Sequence, residues 1–362
     1  MLSLLAAAVW FVLRFRFVSW DFRNNLWAPA YLLVRGQNPF IIEQFCRGCN
    51  AIWLPTTLGW SFPVGWLDQN VAANLWLLLD ILALAAIVWL AARPARPSLA
   101  RFALALGLSF LSPITISHLI MGQFTIFFAL AALAAASPPG LFPKGSGREL
   151  FAGCVLALTM AKPQLAVLVL PGLLCYFGRS SGRQAMTFLA AGAVTLIGLT
   201  IPLWIAFPQW PAAFAQAVGR NPAWIQPTIL WMLRDWLGVW GWGIWAVVAT
   251  GAFALNLYLW RTRPPGEAIS WSLGLTALVS PYLWSYDFAL LIPLLAQSLY
   301  RWRSVSLRLV LAFGWLLIGG LMLWIRLNSD NSDNRYWWMP WVMMGLVWAG
   351  ALVNRHTAER TG

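Results

Sequence analysis

Long apolar stretches alternate with short polar ones along the chain, and each apolar stretch predicts a helix. A helix needs about 20 apolar residues to span a bilayer. Four of the stretches are too short to span it alone: 102–112, 150–161, 164–177 and 268–280. The others are 1–18, 71–92, 119–136, 185–207, 239–260, 286–300, 306–326 and 337–353. The pattern therefore predicts an all-α, polytopic transmembrane helical bundle of about 12 segments, in which 1–18 is the first membrane helix.

Composition agrees with a membrane protein. The 362 residues are 60% hydrophobic and 10% charged, whereas soluble domains are roughly 45–50% apolar and about 25% charged. A water-soluble enzyme and a disordered chain are both excluded. Four Cys and two His do not favour a zinc site built from several side chains, and we expect no metal and no other cofactor.

The charges predict how the chain is threaded through the membrane. The net charge of +13 fits basic cytoplasmic loops and anionic lipid better than nucleic acid as a partner. Short loops that contain residues such as Arg93, Arg179, Arg261 and Arg301 define the cytoplasmic face, and both termini lie on it. The opposite face carries two long extracytoplasmic loops, 19–70 and 208–238. We therefore expect one domain, 1–362, in the plasma membrane, with its chemistry on the extracytoplasmic side. ATP and nucleotide sugars, which are cytoplasmic, do not fit as substrates.

Asp21 follows the first segment and is the main candidate for catalysis. A carboxylate at the membrane surface can take a proton from a hydroxyl and act as a general base; the alternative is a solvated loop acid beside Arg23. Lys162 interrupts an apolar run, where a cation is costly unless it is paired or faces water. It is therefore a candidate for binding a phosphate, and the alternative is a lysine that extends to the interface.

Uncharged polar side chains near helix ends are candidates for binding a sugar. Gln123 lies in a short connection, and its amide can donate and accept hydrogen bonds; a helix cap is the alternative. An amphipathic stretch that ends in the turn at Gly36 to Pro39 predicts an interfacial helix. We expect the sugar or the acceptor to contact Tyr31, Asn38, Gln123, Asn221, Trp284, Tyr286 and Asp287.

Two arginines near the last extracytoplasmic loop complete the candidate phosphate-binding set with Lys162. Arg326 and Arg335 can bind a lipid phosphate, or they pair with Asp330 and Asp333 in the same loop. The sequence does not choose between these two interpretations.

Two further features stay open. Asp80 lies near the middle of segment 71–92, where a carboxylate is neutral, paired with a cation or part of a proton path. Cys46 and Cys49 lie on the exported side, where a disulfide is allowed. A local disulfide or two free thiols fits this Cys-x-x-Cys better than a redox motif does.

In their order along the chain, these landmarks resemble the GT-C glycosyltransferases, and family 87 most closely. That family has an Asp after the first helix, a Tyr/Ala-rich helix that runs to Gly-x-x-Pro-Tyr, and then Gly-Gln, Lys-Pro and Ser-Pro-x-x-Trp. The corresponding residues are Asp21, Ala30-Tyr31, Gly36 to Phe40, Gly122-Gln123, Lys162-Pro163 and Ser280 to Trp284. Two departures bear on donor or acceptor choice: Phe40 stands where Tyr is common, and Tyr286-Asp287 where many members have His.

The resemblance implies an inverting membrane glycosyltransferase. Such an enzyme moves mannose, another hexose or arabinofuranose from a polyprenyl-phosphate donor to an extracytoplasmic glycan or lipid acceptor. Asp21 is then the general base, and the partners are the donor, the acceptor and membrane lipids. The main alternative is a transporter or flippase for a lipid-linked glycan, which Asp80 and a weak Ser-Pro repeat would support. A scaffold without activity does not explain why polar clusters recur at helix breaks.

Overall fold

The computed structural model describes residues 19–92, 98–136, 147–221, 225–329 and 332–361. These residues form helices and turns, and the β structure among them is limited to one isolated antiparallel bridge between Ile41 and Asn50. The all-α class predicted from the sequence is therefore confirmed for the described ranges. Segment 1–18, predicted as the first membrane helix, lies outside them.

The α-helices are labelled α1 to α16 in chain order. Helix α1 consists of three consecutive pieces, Trp20–Phe22, Arg23–Trp27 and Ala28–Leu33, and the middle piece is π-helical. The others are α2 Thr56–Ser61, α3 Gln69–Ala92, α4 Leu99–Leu111, α5 Pro113–Met121, α6 Thr125–Ala135, α7 Gly147–Leu158, α8 Val169–Ser180, α9 Gly182–Ala206, α10 Trp210–Gly219, α11 Ile229–Leu237, α12 Trp240–Thr262, α13 Pro265–Val279, α14 Ile292–Arg301, α15 Val305–Asn328 and α16 Met339–Thr361. Short 3₁₀ helices lie at Phe62–Trp66, Pro163–Ala166, Ser285–Leu291 and Asp333–Tyr336.

Five helical stretches in the described residues are long and apolar enough to cross a membrane: α3, α9, α12, α15 and Asp333–Asn354. The pair α4–α5 makes a sixth if it is one broken span, and it is bent by 61°. The chain is thus a multi-pass helical membrane protein by length and composition. The predicted count of 12 segments is not confirmed.

Several predicted segments are short helices inside the protein. Helix α13 has 15 residues, about 22 Å at the rise of an α-helix, against about 30 Å of hydrocarbon in a bilayer. Its residues are buried on nearly all sides, and α6 is also largely buried. A helix that is apolar all round can be either a core helix or a membrane span. Hydropathy alone therefore does not decide how many of these segments cross the membrane.

Two helix breaks fall at the Ser-Pro pairs, as the sequence predicts. Helix α4 ends at Leu111 and α5 begins at Pro113, while α13 ends at Val279 before Ser280-Pro281. A proline has no N–H to donate to the preceding turn, and it forces the residue before it into an extended conformation. The first break turns α5 so that its C-terminal end reaches α1.

Residues 20–66 form a packed layer, which we call the cap, against the ends of the membrane helices. The apolar core of this layer includes Phe22, Leu26, Trp27, Trp76 and Phe124. The indole of Trp27 donates a hydrogen bond to the carbonyl oxygen of Leu67 at 3.1 Å, and Cys46 and Cys49 form a disulfide. Most of the predicted loop 19–70 is therefore a folded element that can hold a site rigidly.

Candidate active site

The candidate site lies where the cap meets the membrane helices, and Asp21 is its first residue. Asp21 precedes the π-helical turn Arg23–Trp27. Such turns are rare and frequently occur at functional sites. The side chain of Asn25 accepts a hydrogen bond from the Ile52 N–H at 3.0 Å, and its amide lies 3.4 Å from Asp21 Oδ1. The cap thus holds Asp21 and Asn25 side by side.

Gly122 brings a second element to Asp21. This residue ends α5 in the left-handed conformation, with φ +66°, which is unfavourable for residues that carry a Cβ atom. A Cβ at this position would also lie 2.7 Å from Cβ of Phe22 and 2.8 Å from Cβ of Ser19. Glycine is therefore required both by the turn and by the close approach of α1. The next residue, Gln123, is placed beside Asp21 as a result.

Gln123 links the acid to a cation. Its side chain is fully buried. The amide Nε2 donates a hydrogen bond to Asp21 Oδ2, and the amide Oε1 accepts one from Lys162 Nζ at 2.7 Å. Since an amide can donate and accept at once, Gln123 couples the carboxylate of Asp21 to the ammonium of Lys162 without adding a charge.

Lys162 occupies a break between two helical segments. Pro163 follows it, which favours the extended backbone seen at Lys162 (φ −130°, ψ 96°). The side chain is 7% exposed, and Nζ lies 2.8 Å from Asp287 Oδ1 and 5.0 Å from the ring centroid of Tyr286. The buried ammonium therefore has a carboxylate, an amide and an aromatic face around it, which together offset its desolvation.

Asp287 is the counter-charge of Lys162, and it is fully buried. It accepts hydrogen bonds from the hydroxyl of Thr125 and from the Trp284 N–H at 3.1 Å. Ser285, two residues before Asp287, donates from its N–H and its hydroxyl to Asp333, at 2.7 Å and 2.6 Å. These bonds fix the start of the 3₁₀ helix Ser285–Leu291.

Two overlapping recesses, of about 290 Å³ and 300 Å³, open beside these residues. We call them together the Asp21 cavity. Both are lined by Asp21, Asn25, Ile52, Asn221, Tyr282, Trp284 and Tyr286. Lys162 lines one recess, while Trp20 and Met121 line the other. The cavity thus brings together a carboxylate, a cation, amides and aromatic rings, and its size is at the lower end for small-molecule sites.

The electrostatics of the cavity suit Asp21 to proton transfer. Burial raises the pKa of Asp21 from 3.8 to about 6, although the Lys162 charge and a hydrogen bond from Tyr286 act in the opposite direction. The negative charge of Asp287 adds to the rise. Burial, followed by the charges of Asp21 and Asp287, raises the pKa of Tyr286 well above 10. At neutral pH, Asp21 is therefore a carboxylate that accepts protons more readily than an ordinary aspartate, and Tyr286 stays protonated.

The structure brings together seven of the residues that the sequence assigned to a site. In or behind the walls of the Asp21 cavity lie Asp21, Gln123, Lys162, Asn221, Trp284, Tyr286 and Asp287. The stack of Trp284 on Tyr286, with ring centroids 6.2 Å apart, forms an aromatic wall.

The other four assigned residues lie elsewhere. The ring of Tyr31 lies under the guanidinium of Arg35, 3.4 Å from its centroid, within the cap. Asn38 accepts the Phe40 N–H at 3.0 Å within a turn. Arg326 is exposed on α15, and Arg335 lines a separate cavity. Their predicted roles in binding stay predictions.

The residues at or behind the cavity that the sequence did not assign include Asn25, Tyr282 and Thr125. Asn25 lies four residues after Asp21, a spacing that places side chains on one helix face, and Tyr282 lies in the Ser-Pro-x-x-Trp segment; both signals were present. Thr125 carries no signal, because nothing in the sequence shows that its hydroxyl meets Asp287. Among the described residues, no group of three or more His, Cys, Asp or Glu side chains is arranged to hold a metal ion.

A multi-pass helical bundle that holds an acid, an amide and a lysine in one polar cavity is the architecture of a membrane enzyme. The sequence model of glycosyltransferase family 87 matches residues 55–281, which is more than half of the chain. The protein therefore belongs to glycosyltransferase family 87 and is a polytopic membrane glycosyltransferase. The matched range includes Gln123 and Lys162, whereas Asp21 lies before it. No curated protein and no solved structure matches the chain.

Proposed function

We propose that the protein transfers a sugar from a polyprenyl-phosphate carrier to a hydroxyl of a glycan or lipid acceptor, with Asp21 as the general base. The observation that carries this proposal is the hydrogen-bonded series Asp21–Gln123–Lys162 at one cavity. It supplies a proton acceptor and a cation in the same place. The sugar is mannose, another hexose or arabinofuranose, as the family resemblance implies.

The transfer is a direct displacement. The acceptor oxygen attacks the anomeric carbon and forms the new glycosidic bond, while the bond from that carbon to the phosphate oxygen breaks. The electron pair leaves with the polyprenyl phosphate, and the acceptor proton moves to the Asp21 carboxylate. A single displacement with one base inverts the anomeric centre. Asp21 then returns the proton to water.

Lys162 is the group that we assign to the donor phosphate. An ammonium has three N–H donors, and within the described residues two of them go to Gln123 and Asp287. The third can reach a phosphate oxygen in the cavity. As the phosphate leaves, its negative charge increases, and a preorganised cation in a water-poor site stabilises that change.

Asn25, Asn221, Tyr282 and the stacked pair Trp284–Tyr286 are the groups that we assign to sugar contacts. Side-chain amides and phenols bind hydroxyls, and an aromatic face suits the apolar C–H face of a sugar ring. Asp287 was predicted to bind sugar, but its burial and its bond to Lys162 fit a counter-ion better. The positive-inside pattern supports a cavity on the extracytoplasmic side of the cell membrane, with both termini in the cytoplasm.

A lipid-glycan transporter is the second candidate, because Asp80 and His118 form a fully buried pair, 3.4 Å apart, at a membrane span. Charged or titratable pairs in a membrane are frequent on ion or proton paths. Neither residue lines the Asp21 cavity, so this pair favours a separate structural role more than it favours a transporter.

The test is an assay of sugar transfer in nanodiscs. The purified protein is incubated with radiolabelled polyprenyl-phosphate mannose, glucose or arabinofuranose, and label is followed into extracted lipid, into soluble glycan and into water. Asp21→Asn is the test variant. Glu43→Gln is its matched control, since it removes an exposed carboxylate of the cap instead. We expect the wild type and this control to release or transfer label from one donor. Binding of a donor with no release or transfer under any condition would favour the transporter.

A further inference from the structure

A hydrogen-bonded contact joins the segment between α15 and α16 to the wall of the Asp21 cavity. Asp333 begins the 3₁₀ helix Asp333–Tyr336 and accepts two hydrogen bonds from Ser285, which lies 48 residues earlier in the chain. The Ser285 N–H donates to Asp333 Oδ2 at 2.7 Å, and the Ser285 hydroxyl donates to Oδ1 at 2.6 Å. Both oxygens of the carboxylate thus bind one residue, which fixes its position and its orientation. We call this contact the Asp333 clamp.

The clamp is anchored on the side of Asp333. Tyr336, at the other end of the same 3₁₀ helix, is 3% exposed, and its hydroxyl donates to the carbonyl oxygen of Met322 on α15 at 3.3 Å. The positive charge of Arg326, also on α15, attracts the Asp333 carboxylate, while the negative charge of Asp287 repels it. The clamp therefore ties Ser285 to α15, one of the candidate membrane spans.

Ser285 lies between the two residues of the aromatic wall. Trp284 and Tyr286 stack on each other, and both line the Asp21 cavity. Ser285 is 5% exposed, so its N–H and its hydroxyl are shielded from water, and a buried donor without an acceptor is unfavourable. Asp333 supplies the acceptor for both donors. It therefore fixes the backbone from which the two rings extend.

Tyr286 is the residue through which the clamp reaches the catalytic acid. Its side chain hydrogen-bonds Asp21 and favours the ionised carboxylate. The titratable groups that face Asp21 from other elements are Lys162, Tyr282, Tyr286 and Asp287. Asp333 lines neither recess of the Asp21 cavity, so we expect its effect on the acid to pass through the aromatic wall.

We infer that Asp333 is a positioning residue of the active site, which fixes the aromatic wall through Ser285 and so holds the Tyr286 side chain against Asp21. This inference rests on the proposed function, in which Asp21 is the base. Catalytic groups work only when the residues behind them lock their geometry. Ser285 and Asp333 lie outside the range 55–281 matched by the family model, so the family match assigns them no role.

The test is a titration of Asp21 by infrared difference spectroscopy in nanodiscs, without donor or acceptor. The Asp21 signal is the difference between each protein and the same protein carrying Asp21→Asn. A hydrogen bond to the ionised form lowers a pKa, so its loss in Asp333→Ala should raise the midpoint from about 6 by about one unit, the contribution of one hydrogen bond to a charged group. Removal of the Asp333 charge alone would instead lower the midpoint. Asp235→Asn, at an exposed carboxylate outside the Asp21 cavity, should leave it unchanged.

Two further variants separate positioning from a general loosening of the fold. Ser285→Ala removes the hydroxyl half of the clamp and keeps the Asp333 charge. It should raise the midpoint in the same direction by a smaller amount, and it serves as the test if Asp333→Ala does not fold. Tyr286→Phe removes the hydroxyl that contacts Asp21. In that background Asp333→Ala should cause no further shift, because both substitutions remove the same bond.

Three results would overturn the inference. They are a midpoint at or below that of the wild type in both Asp333→Ala and Ser285→Ala, an equal shift in Asp235→Asn, and a shift in Asp333→Ala/Tyr286→Phe that equals the sum of the two single shifts. Because the titration needs no turnover, a failed transfer assay would contradict the proposed function and leave this result readable by itself.

Discussion

Two buried acid–base pairs in this protein differ in their surroundings. Lys162 and Asp287 are 2.8 Å apart. Lys162 also donates to Gln123, and Asp287 accepts hydrogen bonds from the Thr125 hydroxyl and the Trp284 N–H. Asp80 and His118 are 3.4 Å apart and fully buried, and their side-chain atoms make no hydrogen bond of normal geometry among the described residues. One pair is embedded in a polar network at a cavity wall, and the other is isolated between helices.

The difference indicates different roles. A charge whose desolvation is already offset by a network can be presented to a ligand, as we propose for Lys162. An isolated pair has no such network around it, so its role is to hold together the two helices that carry it. Asp80 belongs to α3 and His118 to α5, and the backbone carbonyl of His118 accepts the N–H groups of Gly122 and Gln123 at 2.9 Å and 3.2 Å. The isolated pair is therefore placed to anchor the turn that carries Gln123.

The largest expected effect comes from replacing Asp21, the acid that Gln123 links to Lys162. Asp21→Asn should lower kcat for sugar transfer by about 10²–10⁴-fold, the usual contribution of a general base. The pKa of Asp21 is raised from 3.8 to about 6, so the folded state loses stability as the pH rises from 3.8 to about 6, and that loss is complete at pH 7.5. The melting temperature of Asp21→Asn at pH 7.5 should therefore not fall below that of the wild type. Normal turnover by this variant would show that Asp21 is not the base.

Lys162→Ala should raise the KM for the donor by about 10–100-fold, because it removes a charge-assisted bond to phosphate. It should also destabilise the protein by about 3–5 kcal/mol, since it leaves Asp287 buried without its partner. The double variant Lys162→Ala/Asp287→Asn removes both charges and should recover much of that stability while the donor KM stays high. A donor KM equal to that of the wild type in both variants would show that Lys162 does not bind the donor phosphate.

Gly122→Ala tests the turn between the two pairs. The left-handed backbone costs an alanine about 1–2 kcal/mol, and the new Cβ would meet Phe22 and Ser19. We expect a lower melting temperature and a kcat reduced by about tenfold, because a small displacement of catalytic groups lowers the rate strongly. Gly107→Ala is the control, since a Cβ there meets no atom within 4 Å. Equal effects of the two substitutions would contradict the role of the turn.

The smallest effect should come from the isolated pair. Asp80→Asn keeps an oxygen that can accept a hydrogen bond from His118, and a neutral hydrogen bond contributes only about 1 kcal/mol. Transfer should change by less than about fivefold. If Asp80 were part of a proton path in a transporter, the same variant would abolish substrate movement. A complete loss of function in Asp80→Asn would therefore contradict the structural role that we assign to the pair Asp80–His118.

The sequence predicted the helical class, the breaks at Ser-Pro and most of the polar residues around the cavity. It did not predict their contacts, because Asp21, Gln123 and Asp287 are far apart in the chain and meet only through packing of the cap on α5 and the 3₁₀ helix Ser285–Leu291. The positive φ of Gly122 explains why a glycine precedes Gln123, and that reason is visible only in three dimensions.

Two kinds of sequence signal are compatible with more than one structure. Hydropathy does not separate a buried core helix such as α13 from a membrane span, so the predicted count of about 12 segments is not confirmed. Polarity at a loop does not separate a ligand contact from a local cap, as Asn38 shows by accepting the Phe40 N–H. In contrast, the choice between a disulfide and free thiols at Cys46 and Cys49 was resolved by the structure in favour of the disulfide.

The central claim, that Asp21 is the base, is tested most directly by the pH dependence of kcat/KM for sugar transfer. This quantity reports ionisation in the free enzyme. With a pKa of about 6 for Asp21, the wild type should be constant above about pH 7 and fall tenfold for each pH unit well below 6, as the carboxylate becomes protonated. The residual activity of Asp21→Asn should lack this acidic limb. An acidic limb with the same midpoint in Asp21→Asn would show that another group is the base.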